Sequence, residues 1–304
     1  MKVDSRGALL AVGALVCNAF VWGVSWWPFR QLQTHGLHPL WATALVYVLM
    51  LSVLLMLYPR SWRGFIAQPQ LWWLMIAAGL ANTCFNWAVT VGDVVRVVLL
   101  FYLMPAWSVL VAWVMLGEKP TTGSLLRLLM AMAGVLIVLK TPESPWPVPQ
   151  SLADWMGLLG GFCFAITNAF LRKLNTAPGD ARMLAMFGGG ALLSAGTALV
   201  GMWQQAVPPP VLAAAGIPIA LGLALAFMVS NAALQYGAAR LAASTTSLVM
   251  LTELLFASIS AGLLGASEFN RNVLIGGSLI ILAALLAALG PAPAGKPAPD
   301  PAPR

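Results

Sequence analysis

The sequence predicts an all-α polytopic membrane protein: ten transmembrane helices in two inverted five-helix repeats. Three observations carry that expectation. Hydrophobic residues make up 60% of the 304-residue chain and charged residues only 8%, against about 25% charged in an ordinary soluble domain, so the chain cannot cover itself with a polar surface. Its apolar residues gather into ten runs near the length, roughly 20 residues, that crosses a hydrocarbon core as helix. Residues of the first half also recur in the second at a nearly constant spacing.

The runs fall near 8–29, 38–58, 71–90, 95–116, 122–140, 152–172, 182–203, 212–236, 242–264 and 272–289. Nearly every residue then lies in a span or a short connection, which leaves no room for a soluble domain. The first run follows Lys2 and Arg6 but is longer than the apolar core of a cleavable signal and ends without a small-x-small site, so it is read as a span. Cys17, Cys84 and Cys163 occupy three different runs without CxxC spacing, which argues against a disulfide framework or a metal cluster. Neither a metal nor a cofactor is expected. The stretch "GPAPAGKPAPDPAPR" at 290–304 reads as a disordered extension because its Ala-Pro steps cannot continue a helix. The expected organisation is therefore a first repeat over 1–145, a second over 146–289 and a Pro/Ala-rich tail.

Ten spans put both ends on one side. Arg30, Arg96, Lys140 and Arg271 fall in odd-numbered loops, whereas all other Lys and Arg residues, among them Arg60, Arg63, Lys119, Arg127, Arg172, Lys173, Arg182 and Arg240, fall in even-numbered loops or near the termini. By the positive-inside rule both termini are expected in the cytoplasm. The net charge of +7 is then a topological signal and calls for no nucleic-acid partner.

"VCNAFVWG" at 16–23 and "ITNAFLRK" at 166–173 share Asn-Ala-Phe 150 residues apart. The same offset aligns Gly7 with Gly157, Leu9 with Leu159 and Glu118 with Glu268, while Asn86-x5-Gly92 resembles Asn231-x5-Gly237 at an offset of 145. Five spans per copy is an odd number, so the second copy stands upside down relative to the first. That is the inverted-repeat plan of secondary transporters, in which a site near the midplane receives residues from both copies. Asn18 and Asn168 suit such a site and equally suit interhelical hydrogen bonding, worth about 1 kcal/mol in membranes.

Other polar residues group by helical spacing. Asn82, Asn86 and Thr90 share one face of the third span, Asn231 and Gln235 one face of the eighth, and Trp22 follows Asn18 by four. Ser244, Thr245 and Ser247 lie in the ninth span, and Glu253 is the one acid placed mid-span. A carboxylate there costs about 3 kcal/mol on insertion scales, which makes Glu253 a candidate for coupling as well as for helix–helix packing. Tyr102 precedes Pro105 by three, and Pro218 interrupts the eighth run. Each proline frees a carbonyl and bends a helix, as a cavity wall or gate requires. Trp26, Trp27, Trp62, Trp72 and Trp73 are assigned to the interfacial belts.

"WGVSWWPFRQLQTHGLHPL" at 22–40 and "YLMPAWSVLVAWVMLGEKPTTGSLL" at 102–126 resemble the opening pattern and the fourth span of the EamA-type drug/metabolite transporters. The resemblance runs from about Gly7 to Leu289. It implies ten helices in two inverted repeats, with the first four helices of each half around a central cavity and the fifth and tenth outside it. "FYLMP" at 101–105 and Tyr47, where many members carry Arg, are similar to the aromatic amino-acid exporters of the YddG type. Leu255 stands where the repeat would place Pro, and "GASE" where Gly-Glu is usual. The resemblance implies a bacterial inner membrane.

An enzyme is disfavoured because His35 and His38, the only histidines, lie in one external loop with no paired acids or HExxH beside them. A channel would show a filter or a charged ring, and none is evident. Sugar phosphates would call for Lys or Arg in the span centres, which hold none. A neutral cavity of amides and rings instead fits a small zwitterion with an apolar side chain, an aromatic or bulky apolar amino acid. A periplasmic reporter fused after Lys140 is expected to be active and one fused after Lys173 inactive. The reverse pattern would overturn the orientation and the inverted repeat together.

Overall fold

A computed structural model of the chain describes residues 5–92, 94–139, 149–211, 213–264 and 271–289. The expected boundary between 145 and 146, the tail from Gly290, the repeat partner Glu268, and Lys140, Glu143 and Asp93 lie outside these residues, as do the side chains of Thr90 and Arg96.

All regular structure among the described residues is helical. The first run folds as α1 (Ser5–Val24) and α2 (Trp26–Thr34), divided at Ser25, whose hydroxyl donates to the Trp22 carbonyl at 2.7 Å. In α3 (Pro39–Leu57) the proline occupies the first turn, where its missing N–H costs nothing, and His38 Nδ1 accepts the Leu40 N–H at 3.3 Å. Burial pushes the His38 imidazole down from its ordinary value; this histidine caps a helix. A short α4 (Ser61–Ile66) leads to α5 (Gln70–Val91). The fourth span is split into α6 (Val94–Phe101) and α7 (Met104–Leu116), and α8 (Thr122–Leu139) closes the first half.

The second half opens with α9 (Leu152–Lys173), started by a reciprocal cap. Ser151 Oγ accepts the Asp154 N–H at 3.2 Å, and Asp154 Oδ2 accepts the Ser151 N–H at 3.1 Å. Then come α10 (Gly179–Trp203) and α11 (Gly216–Ala238); the ninth span is again split, into α12 (Ala243–Met250) and α13 (Thr252–Leu263), before α14 (Arg271–Leu289). One expectation is corrected here. Pro218 does not interrupt a span, because α11 begins at Gly216 and the proline falls in its first turn, where no intrahelical bond is lost.

Nine helices among the described residues are long and apolar enough to cross a membrane. The third expected span is α5, whose 22 residues reach about 33 Å; the side chains at 89–91, at its end, lie outside the described residues. It carries Asn82, Thr83 and Asn86, and it packs between α9 and α10. A helix shielded by protein needs fewer apolar residues than one bathed in lipid. The outer faces are apolar: Leu9, Met56, Trp73, Val114, Leu225 and Leu263 are all exposed.

Helix pairing follows the repeat. α1 packs on α11 as α9 packs on α5, α1 on α13 as α9 on α7, and α3 on α11 as α10 on α5; α3 with α10 and α8 with α14 pair across the axis itself. This is the pattern expected of two five-span copies exchanged by a dyad. Because lipid removes the hydrophobic drive between helices, close van der Waals approach must hold them, and small residues permit it. A Cβ added at Gly79 would lie 2.6 Å from the Gly189 carbonyl, and one at Gly134 would lie 2.6 Å from the Gly276 carbonyl. Gly222 has nothing within 4 Å of the same position. Gly79→Ala and Gly134→Ala are therefore expected to lower unfolding stability in lipid or detergent by about 1–3 kcal/mol through overpacking. Gly222→Ala should leave it unchanged or higher, so equal behaviour of all three would refute this account of the crossings.

Candidate functional site

The site begins with the two broken spans. Pro105, in the first turn of α7, supplies no N–H, which frees the Phe101 carbonyl that an unbroken helix would use. Gly161 of α9 lies directly against that carbonyl, where a Cβ would collide. In the other half the chain bends at Leu251, and Thr252 Oγ1 donates to the Val249 carbonyl at 2.8 Å. Gly23 of α1 is packed on the Glu253 carbonyl, with a hypothetical Cβ 2.6 Å from it. α7 and α13 therefore both begin within their spans, and a helix N-terminus carries partial positive charge. Tyr102, at the first break, hydrogen-bonds Glu253, in the first turn of α13.

Around this meeting point lies a cavity lined by Trp22, Tyr47, Ala78, Ala81, Asn82, Phe85, Phe101, Tyr102, Met104, Phe164, Thr167, Met186, Asn231, Leu234, Met250 and Glu253. About 70 Å³ of it is open to the centres of water-sized spheres. That is room for a few waters, since each needs about 10–15 Å³ by this measure. Trp22 stacks on Phe227 with ring centroids 4.4 Å apart and planes at 24°, which fixes its indole in the wall. Phe101 meets Phe85 at 4.6 Å and Phe164 at 6.0 Å. Tyr47 faces Asn82 across the wall, and Asn82 Nδ2 donates to the Ala78 carbonyl at 2.8 Å. Asn231 Oδ1 accepts from Gln235 Nε2 at 2.9 Å, while its own Nδ2 reaches only Met186 Sδ, at 3.5 Å. Gln235 Nε2 also points to that sulfur, at 3.8 Å.

Of the residues singled out in the sequence, Trp22, Asn82, Tyr102, Asn231 and Glu253 come together on this wall. Gln235 stands behind Asn231. Asn18 and Asn168 lie off it, buried between helices. Asn18 Nδ2 donates to Ser230 Oγ at 2.6 Å and to the Ser230 carbonyl at 2.8 Å, whereas Asn168 Nδ2 donates to Ser247 Oγ at 3.4 Å. Repeat-equivalent amides thus take unlike partners, on α11 and on α12, and each leaves its Oδ1 buried with no partner among the described residues. Asn86 donates to Thr43 Oγ1 at 2.9 Å, away from the cavity. Ser244 and Pro105 line small spaces near Ser124 and Arg127, and Pro218 lines a lipid-facing apolar groove with Phe20 and Trp27. Trp26, assigned to the belt, is half-buried and donates to Ser260 Oγ at 2.9 Å. Sequence reasoning about sites missed Phe85, Phe164, Thr167 and Met186. Phe85 was findable, lying one turn from Asn82 on the same face. No group of three or more metal-ligating side chains occurs among the described residues.

A helical bundle with two broken spans around a cavity walled by rings and amides defines a multi-pass membrane protein. Residues 7–140, most of the first repeat, match the EamA-like transporter family. The match covers less than half of the 304-residue chain and is a likeness of its first half to that family. A solved structure described only as "Crystal structure of protein" aligns with a TM-score of 0.74 at 17% identity, over 93% of this chain and 98% of its own. At that identity the likeness shows the fold alone. No curated protein matches the chain.

Tyr47→Phe keeps the ring and removes the hydroxyl that the wall offers beside Asn82. Affinity for the transported solute is expected to fall about fivefold, as the loss of about 1 kcal/mol from one hydrogen bond implies, with thermal stability little changed. Unaltered affinity in a binding titration would mean that the Tyr47 hydroxyl does not bear on the solute.

Proposed function

We propose that the protein exports amino acids, aromatic or bulky apolar ones, across a bacterial inner membrane by alternating access, with both termini in the cytoplasm. One observation carries this reading: the cavity wall combines the rings of Trp22, Tyr47, Phe85, Phe101, Tyr102 and Phe164 with the neutral amides of Asn82 and Asn231, and no Lys or Arg stands among its lining residues. An amide donates to a carboxylate and accepts from an ammonium. Aromatic faces accept both apolar side chains and cationic groups. A phosphate dianion would be desolvated there without a counter-charge. The resemblance of "FYLMP" and Tyr47 to the YddG type points the same way. The small free volume suits a closed state that opens to one side at a time to admit an amino acid.

Glu253 is the acid of the wall and is bonded to Tyr102. In this reading it meets the substrate ammonium and exchanges a proton during the cycle. Its presence also favours a second reading, carriage of an apolar organic cation in the same rings.

The test is protein-dependent movement in reconstituted vesicles. Labelled phenylalanine, tryptophan and methionine are expected to move, and a sugar phosphate is not. Movement of an organic cation but of no amino acid would select the second reading, and movement of the sugar phosphate alone would overturn both. In the same vesicles Glu253→Gln should abolish the response of transport to a pH gradient while leaving folded protein intact. An unchanged rate and an unchanged response would reduce Glu253 to a packing residue.

A further inference from the structure

Five helix ends at one face of the bundle carry its basic residues: Arg60 and Arg63 after α3, Lys119 after α7, Arg172 and Lys173 ending α9, Arg182 beginning α10, and Arg240 after α11. Within this basic end one acid of the first half reaches the second half. α7 stops at Gly117, whose left-handed conformation (φ 71°) turns the chain and directs Glu118 back toward the bundle. Glu118 Oε1 lies 3.9 Å from Arg172 Nε. The backbone N–H of Ala243, at the start of α12, faces the same carboxylate and favours its charged form. Arg172 Nη1 in turn donates to the Ala239 carbonyl, at the end of α11, at 3.0 Å. One carboxylate and one guanidinium thus tie together the ends of α7, α9, α11 and α12. Deeper in the bundle the hydroxyls of Ser108 (α7) and Ser247 (α12) are hydrogen-bonded, and Asn168 of α9 joins them. This second tier lies between the cavity and the charged one.

The pair is built to be broken. Glu118 is 10% exposed and Arg172 31%, so the ion pair is sheltered but sits within reach of water. Burial pushes the Glu118 carboxyl up from its ordinary value, and the Arg172 charge and the Ala243 amide pull it down. Its Oε2 is buried with no partner among the described residues. The carboxylate is therefore held by contacts that exist only while the two halves meet at this end.

We propose that Glu118 and Arg172 are the latch that shuts the cavity at the basic end, closing the path between the first and second repeats while the other face is free to open. The inference rests on the protein being an alternating-access transporter, but not on what it carries. Opening this end would separate α7 from α9 and α12 and so must break the pair, whereas the lining residues of the cavity stay untouched.

The test uses the full-length protein with Cys17, Cys84 and Cys163 replaced by alanine and one reporter, A81C, in the cavity wall. Labelling by a membrane-impermeant maleimide is timed from each face, in intact spheroplasts and in inverted vesicles. E118Q keeps the shape and loses the charge; R172Q does the same for the partner. Each is expected to raise labelling from the basic-end face about fivefold, a modest shift of a two-state population, without raising it from the other face. R172K, which keeps the charge, should stay nearer the parent. Thermal unfolding of each variant separates a released latch from a damaged fold. Unchanged labelling, or an equal rise from both faces, would overturn the latch and leave the transporter reading standing. A reporter that reacts from neither face in the parent and in every variant would count against alternating access itself, and against the latch with it.

Discussion

Inside a bilayer the backbone must find its hydrogen bonds within the protein, because hydrocarbon offers none. A helix broken midway across the membrane is therefore tolerable only where neighbours cover the freed groups. Both breaks in this protein obey that constraint. The Phe101 carbonyl released by Pro105 is covered by the bare backbone of Gly161, and the bend at Leu251 is covered by the Thr252 hydroxyl and by Gly23. Only because the breaks are sealed from lipid can α7 and α13 begin inside the bundle, and only there can Tyr102 and Glu253 meet. The cavity is the space left where continuous helices would have filled the centre.

The rest of the bundle holds that centre in place. α5 and α9 flank it in opposite halves, and α10 presses on α5 through a Gly79–Gly189 approach too close for any side chain. The Tyr47 ring lies over Gly190 in the same way, with a hypothetical Cβ 2.6 Å from the ring. Small residues thus do two things at once: they let helices touch in a solvent that gives no hydrophobic drive, and they make floor space for the aromatic walls. α8 and α14, joined through Gly134 and Gly276, stand apart from the cavity, which none of their residues line.

Span number and order were legible in the sequence because apolar length is a one-dimensional signal. The breaks were half legible. Pro105 announced the first, but nothing in "MLTELLF" announced the second, where the chain bends without proline or glycine. Pro218 misled because its effect depends on where a helix starts, and the start at Gly216 is set by the preceding turn rather than by hydropathy. The repeated Asn-Ala-Phe located equivalent points in the two halves. It did not disclose their partners, since a hydroxyl on α11 and another on α12 are chosen by three-dimensional packing. The ring-rich wall was missed for the same reason: Phe164 and Met186 look like any apolar residues of a span until the fold turns them inward.

One detail of the wall bears on how a solute could be accepted and then given up. The Asn231 amide and the Gln235 amide both address Met186 sulfur, at 3.5 and 3.8 Å, and a thioether is a weak acceptor. A carboxylate or hydroxyl in its place would hold those N–H groups firmly, so that an arriving molecule would have to win them by competition. Gln235 is already held by Asn231 Oδ1 at 2.9 Å, so it is the Asn231 N–H that sulfur leaves oriented, dry and weakly engaged. A visitor with a better acceptor takes it at small cost and, on leaving, returns it to a methionine flexible enough to follow. Quick turnover and a forgiving choice of guest would both follow from so soft a placeholder.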